Sequence, residues 1–166
     1  MLKTRNEIIH QTVVRHLRNS MKTNFEIEEN YAVLLNGIHI DLHNNFEFKE
    51  ITELKNDVRI EFTKSTGDWV HENEFDKLTF IHKNVTFKNS SNGDNSEFPE
   101  DENILSVISF FPKSSREIND GFMEHKKPNE NDDIIYLFEN GKMFRLNCEL
   151  IELIAENKKT NAQQRL

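Results

Sequence analysis

A chain of 166 residues with 36% hydrophobic content and thirteen phenylalanines is long enough to fold as one domain around a substantial core. A formal net charge of −8 argues against nucleic-acid binding through phosphate contacts. No apolar run approaches the ~20 residues that a membrane span requires. The lone cysteine, Cys148, cannot form an internal disulfide, and no apolar segment follows Met1–Glu7 to serve as a secretion signal. Both points predict a cytoplasmic protein.

In chain order, Thr4-Arg5-Asn6-Glu7 fits a capping box and predicts a helix over 4–22. Its apolar stripe is Ile9, Val13 and Leu17, and Arg5, Arg15, Arg18 and Lys22 make the opposite face basic. A stripe that narrow suits a helix lying on a sheet. Strand patterns dominate from 25 to 156. Phe25-Glu26-Ile27-Glu28 alternates, as do Phe46-Glu47-Phe48-Lys49 and Val58-Arg59-Ile60-Glu61-Phe62.

Two Asn-Gly dipeptides, Asn36-Gly37 and Asn140-Gly141, each sit between apolar runs and predict tight type I′ hairpins. Leu78 to Phe87 reads as strands around Lys83-Asn84. Residues 89–103 and 113–133 are polar excursions. Between them Ile104 to Phe111 is nearly all apolar and predicts a central strand ending at Pro112. The tail 157–166 should fray. The expected fold is therefore a single α+β, β-rich domain over 1–166: a bent or barrel-like, largely antiparallel sheet with the N-terminal helix packed on it. Its core should include Val58, Ile60, Phe62, Phe80, Val107, Ile135, Leu137, Phe144 and Leu146.

Charge is unevenly placed. Residues 1–24 carry five bases against Glu7, and residues 94–133 carry eleven acids against four bases. The acids Glu97, Glu100, Asp101 and Glu102, with Glu130, Asp132 and Asp133, could form either solvated loops or a surface that steers a basic protein into contact. Trp69 in Gly67-Asp68-Trp69-Val70 could cap the sheet core or anchor a partner, since Trp is favoured at binding hot spots.

Chemistry-bearing patterns are sparse. His39-x-Asp41-x-His43 would place two imidazoles and a carboxylate on one face of a strand, a donor set suited to zinc or iron. Three such residues in a row fit one ion poorly without a bend, and a solvent-facing polar strand accounts for the pattern better. His10, His16, His71, His82 and His125 fall into no metal-binding spacing. Cys148 follows Phe144 and Leu146 at strand spacing and reads as core. There is no nucleophile elbow, no phosphate-binding glycine loop and no motif calling for a cofactor.

The runs Val58–Phe62, Leu78–Phe87 and Phe138–Glu149 resemble small single-domain bacterial proteins of the immunity class in toxin–immunity systems. That resemblance implies a cytosolic, non-enzymatic protein that binds a cognate toxin domain and blocks it. Many such toxins are basic nucleases, which suits an acidic face. Two other readings stay open on the sequence: a ligand-binding or metal-assisted enzyme domain using His39, Asp41 and His43, and an accessory protein that mimics nucleic-acid charge.

Overall fold

The computed structural model describes residues 21–71, 74–94, 98–117 and 125–157. Its strands are β1 (Lys22–Thr23), β2 (Phe25–Glu28), β3 (Ala32–Leu35), β4 (Ile38–Asp41), β5 (Phe46–Leu54), β6 (Asp57–Lys64), β7 (Lys77–Lys83), β8 (Phe87–Ser91), β9 (Leu105–Pro112), β10 (Asp132–Phe138), β11 (Met143–Asn147) and β12 (Leu150–Glu156). One short helix, α1 (Leu42–Asn45), joins β4 to β5, and Asp41 caps it by accepting the Asn44 N–H at 2.9 Å.

The strands form three sheets, in the orders β1-β12-β7-β6-β5, β8-β11-β10-β9 and β2-β3-β4. Among the described residues every pairing is antiparallel except β1 with β12. The expected β-rich, largely antiparallel architecture is present, but not as one barrel-like sheet: among the described residues no sheet closes on itself. The five- and four-stranded sheets instead meet face to face through aromatic rings. Phe62 stacks toward Phe138 at 6.5 Å, Phe80 meets Tyr136 at 5.5 Å, and Phe48 meets Phe138 at 5.0 Å. The three-stranded sheet joins the same core through Phe25, whose ring lies 5.4 Å from that of Phe80. Edge-to-face pairs at these separations add to the stabilisation from burial.

Residues 4–20 of the predicted N-terminal helix lie outside the described residues, and Lys22 belongs to β1, so that helix does not reach 22. Six of the nine expected core residues are buried; Val107, Leu137 and Phe144 are half-buried. The apolar run 104–111 forms β9, which is an edge strand rather than a central one. Its residues are covered all the same, because the β2–β3 turn closes over the edge, with the Ile108 N–H donating to the Asn30 carbonyl. A continuous apolar run reports covered faces, and does not report position in a sheet.

The two Asn-Gly turns differ. Asn36 (φ 51°) and Gly37 (φ 82°) both take the left-handed backbone of a two-residue turn, pairing Leu35 with Ile38. At the second site only Gly141 has positive φ, at 82°. The Gly141 N–H donates to the Phe138 carbonyl and the Phe138 N–H to the Lys142 carbonyl, closing a three-residue loop. Asn140 does not take a left-handed conformation there; its side-chain oxygen accepts the Lys142 N–H at 3.0 Å. Gly37→Ala should therefore destabilise by about 1 kcal/mol, checked by urea unfolding, because an alanine Cβ strains a positive-φ backbone even in open space.

A buried polar pair sits in the core between the two larger sheets. His82, on β7, is fully buried; its Nδ1–H donates to the Val58 carbonyl at 3.0 Å, and its Nε2 accepts the Tyr136 hydroxyl at 3.0 Å. Burial pushes the His82 pKa down to about 4 and holds the Tyr136 hydroxyl well above its ordinary value. The nearby Cys148 thiol is pushed up to about 12, chiefly by burial, so it stays protonated in the core.

The unfolded chain protonates His82 near 6.5, whereas the folded chain does so only near 4. The unfolded state thus binds more protons in that window, and the stability His82 contributes is complete above pH 6.5 and lost as pH falls toward 4. Urea unfolding across this range should show a loss of about 3 kcal/mol in the wild type that His82→Gln lacks. Parallel pH profiles for the two proteins would refute this.

Candidate protein-docking surface

Trp69 lies in the loop between β6 and β7 and is 68% exposed. It does not cap the sheet core. The ring lies over Gly67, where a Cβ would come within 2.3 Å of it, and its Nε1–H donates to the Asn44 carbonyl of α1 at 2.9 Å. Gly67 permits the close approach, and the hydrogen bond fixes the ring's direction. A large aromatic surface is thus held out in solvent at little further ordering cost, which is how an anchor for a partner is pre-organised.

The loop and α1 lead directly to the acidic turn. The neighbouring α1 residue, His43, donates from Nδ1 to the Leu105 carbonyl at 2.8 Å, and its ring lies 3.7 Å from the Glu139 carboxylate. Phe48 N–H donates to the Asn103 carbonyl at 2.8 Å, and Glu139 N–H to the Ile104 carbonyl at 3.0 Å. Just before these residues the chain makes a 3-10 turn, Pro99–Glu102, with Pro at its start and Glu100, Asp101 and Glu102 in its single turn. Glu100 and Glu102 are exposed and Asp101 is half-buried. Glu47, which accepts the Ser65 hydroxyl at 3.1 Å, and Glu139 are also exposed. A contrasting charge is Lys142, whose ammonium sits 4.4 Å from the Phe48 ring and 4.5 Å from the Phe138 ring. Burial lowers the Lys142 pKa while Glu102 opposes that shift. The chain of contacts joins an aromatic anchor to an acidic rim on one side of the molecule.

The other predicted acids do not join this rim. Glu97 lies outside the described residues. Glu130 is exposed but sits beyond the far end of β10: Asp132 pairs with Pro112 there, whereas Phe138 pairs with Leu105 beside the acidic turn. Six residues of strand separate those ends by roughly 20 Å. Asp132 and Asp133 are not loop acids at all; they open β10 and are 2% and 0% exposed. Asp132 accepts the Asn129 N–H at 2.7 Å. Asp133 accepts Arg116 Nε and Nη2 at 2.8 and 2.7 Å and Arg145 Nε at 2.8 Å. Both are interior residues, so reversing their charge would disrupt the fold rather than probe a surface.

The His39, Asp41, His43 alignment is likewise absent. β4 ends at Asp41, whose carboxylate is engaged by both the backbone and side-chain nitrogens of Asn44 at 2.9 and 2.8 Å. His43 lies on α1, and His39 pairs with Glu28 at 2.8 Å. The helix turn takes His43 off the strand face, so the pattern of alternate residues does not become a donor set. Among the described residues no group of three or more His, Cys, Asp or Glu side chains is placed to hold a metal ion, and no helix is long and apolar enough to cross a membrane.

Reading the sequence missed Glu47 and Glu139 as members of the acidic rim. Glu47 is one of several alternating strand acids, and Glu139 is hidden beside a turn signal; neither carries a local pattern that marks it. No protein-family model, curated protein or solved structure matches this chain.

Proposed function

We propose that this chain is a non-enzymatic, cytoplasmic protein-binding module of the immunity type, which captures and neutralises a basic toxin domain. The observation that carries this reading is the fixed, exposed Trp69 ring joined through α1 to the acidic turn at Glu100, Asp101 and Glu102. Exposed carboxylates raise the encounter rate with a basic partner, and a pre-positioned Trp supplies desolvated contact area once docked. The net charge of −8 favours the same class of partner and disfavours nucleic acid.

Glu100→Lys with Glu102→Lys should slow association with the cognate toxin domain several-fold and leave dissociation nearly unchanged. The effect should shrink as salt rises, since such charges are screened over ~8 Å at physiological ionic strength. Stability should move by no more than about 0.5 kcal/mol per site. Trp69→Ala should instead speed dissociation and weaken affinity by about 2 kcal/mol. Surface plasmon resonance across a salt series separates the two effects. If the Trp69 change costs affinity while the acid reversals cost nothing, the electrostatic part of the proposal fails.

A further inference from the structure

A third Asn-Gly dipeptide, Asn92-Gly93, follows the end of β8 at Ser91 and belongs to neither hairpin. Asn-Gly is the dipeptide most open to attack by its own backbone, because glycine has no Cβ to shield its nitrogen. The fold holds the three copies differently. Asn36 is exposed, but its backbone is left-handed at φ 51° in the turn closed by Leu35 and Ile38. In that conformation the next nitrogen, that of Gly37, points nearly opposite to the Asn36 Cβ and cannot reach the side-chain carbonyl. At the second hairpin both reacting groups are occupied. The Gly141 N–H donates to the Phe138 carbonyl at 2.9 Å, and the Asn140 side-chain oxygen accepts the Lys142 N–H at 3.0 Å.

We propose that Asn92 is a site of spontaneous deamidation in the folded protein, while Asn36 and Asn140 are protected by their turns. Asn92 is exposed, lies outside any strand and does not have positive φ. Among the described residues neither its side chain nor the Gly93 N–H has a hydrogen-bond partner. No paired strand has to open before the groups meet. The Gly93 nitrogen, having given its proton to solvent base, attacks the Asn92 Cγ. The bond from Cγ to the side-chain nitrogen breaks, and that nitrogen leaves as ammonia. Water then opens the five-membered imide at either carbonyl, giving aspartate or isoaspartate, with no change of oxidation state. Isoaspartate adds one carbon to the main chain between two anchored points, the β8 pairing of Ser91 with Met143 and the Asp94 N–H, which donates to the Asn140 carbonyl at 2.8 Å. The product therefore places a new negative charge and a longer link beside the second hairpin.

Ageing the full chain at mildly alkaline pH, folded and in concentrated urea, tests this by peptide mapping. Mass spectrometry with electron-transfer fragmentation follows aspartate and isoaspartate at all three sites. In the folded protein Asn92 should react at least ~tenfold faster than Asn36 or Asn140, equivalent to ~1.4 kcal/mol on the barrier. In urea the three rates should converge, because the dipeptide is the same and the turns are gone. Asn92→Gln, whose longer side chain closes the ring poorly, should leave the folded protein almost unreacted at that site. Folded-state reaction at Asn36 or Asn140 as fast as at Asn92 would overturn the proposal. So would an Asn92 that is inert in the folded protein while it reacts in urea, or the same ranking of the three sites in urea as in the fold.

Discussion

Asp133→Ala is expected to destabilise the protein by about 3–5 kcal/mol, one of the two largest single-residue effects expected in the fold. Asp133 is fully buried and lies between two guanidinium groups, with Arg145 itself 1% exposed. Arg145 also donates from Nη1 to the Ser115 carbonyl at 3.3 Å and from Nη2 to the Pro112 carbonyl at 3.0 Å. The Arg116 guanidinium stacks 3.4 Å from the Phe87 ring centroid. The cluster thus fastens the segment after β9 to the outer face of the four-stranded sheet. Removing the carboxylate leaves a buried cation without its counter-charge, and that uncompensated charge dominates the cost. Replacing Asp133 and Arg145 together with apolar residues of similar volume should cost far less than either single change. Denaturant unfolding of the single and double variants measures this directly, and a single-variant loss below about 1 kcal/mol would contradict it.

Phe138→Ala should cost a comparable amount, about 3–5 kcal/mol, for a different reason. The Phe138 ring is 1% exposed and packs against Phe48, Phe62 and Phe144 at 5.0, 6.5 and 5.7 Å. Lys142 covers a further side at 4.5 Å. Truncation removes the transfer free energy of a large ring and leaves a cavity where the two principal sheets meet. Rings from β5, β6 and β11 cannot all move inward without breaking strand register, so little of the cavity should collapse. Phe138→Leu, which refills most of the space, should recover much of the loss in the same unfolding assay.

The comparison of sequence with structure turns on what each residue's neighbours in space were. The period-two pattern in Val58-Arg59-Ile60-Glu61-Phe62 identified its strand and its buried face, because alternation is a local property. Asn36-Gly37 likewise specified its turn. Asn140-Gly141 marked a hairpin but not its loop length, since the Asn140 side chain found the Lys142 N–H and Asp94 N–H found the Asn140 carbonyl. The acidic run 130–133 looked uniform in sequence, yet it divides at Asp132. The partners that draw Asp132 and Asp133 inside include Arg145, which lies across the adjacent strand and reads as an ordinary alternating polar residue. The His39, Asp41, His43 pattern failed because it assumed an unbroken strand. Asp41 is also a good helix cap, and the short turn that follows it reorients His43. The docking surface was legible only in pieces: Trp69 and the acids near 100 stood out, but the α1 bridge between them is a feature of tertiary structure.

A paired capture from the native host tests the binding proposal most directly. Immobilised wild-type chain and a variant carrying Trp69→Ala, Glu100→Lys and Glu102→Lys, matched for folding by their unfolding curves, are compared by mass spectrometry of what each retains. The wild type should hold a basic protein that the variant loses and that a control reversal at the distant Glu130 still holds, and the purified pair should bind with the salt-dependent association rate described above. Retention of the same proteins by all three baits would contradict the assignment of this surface to partner binding.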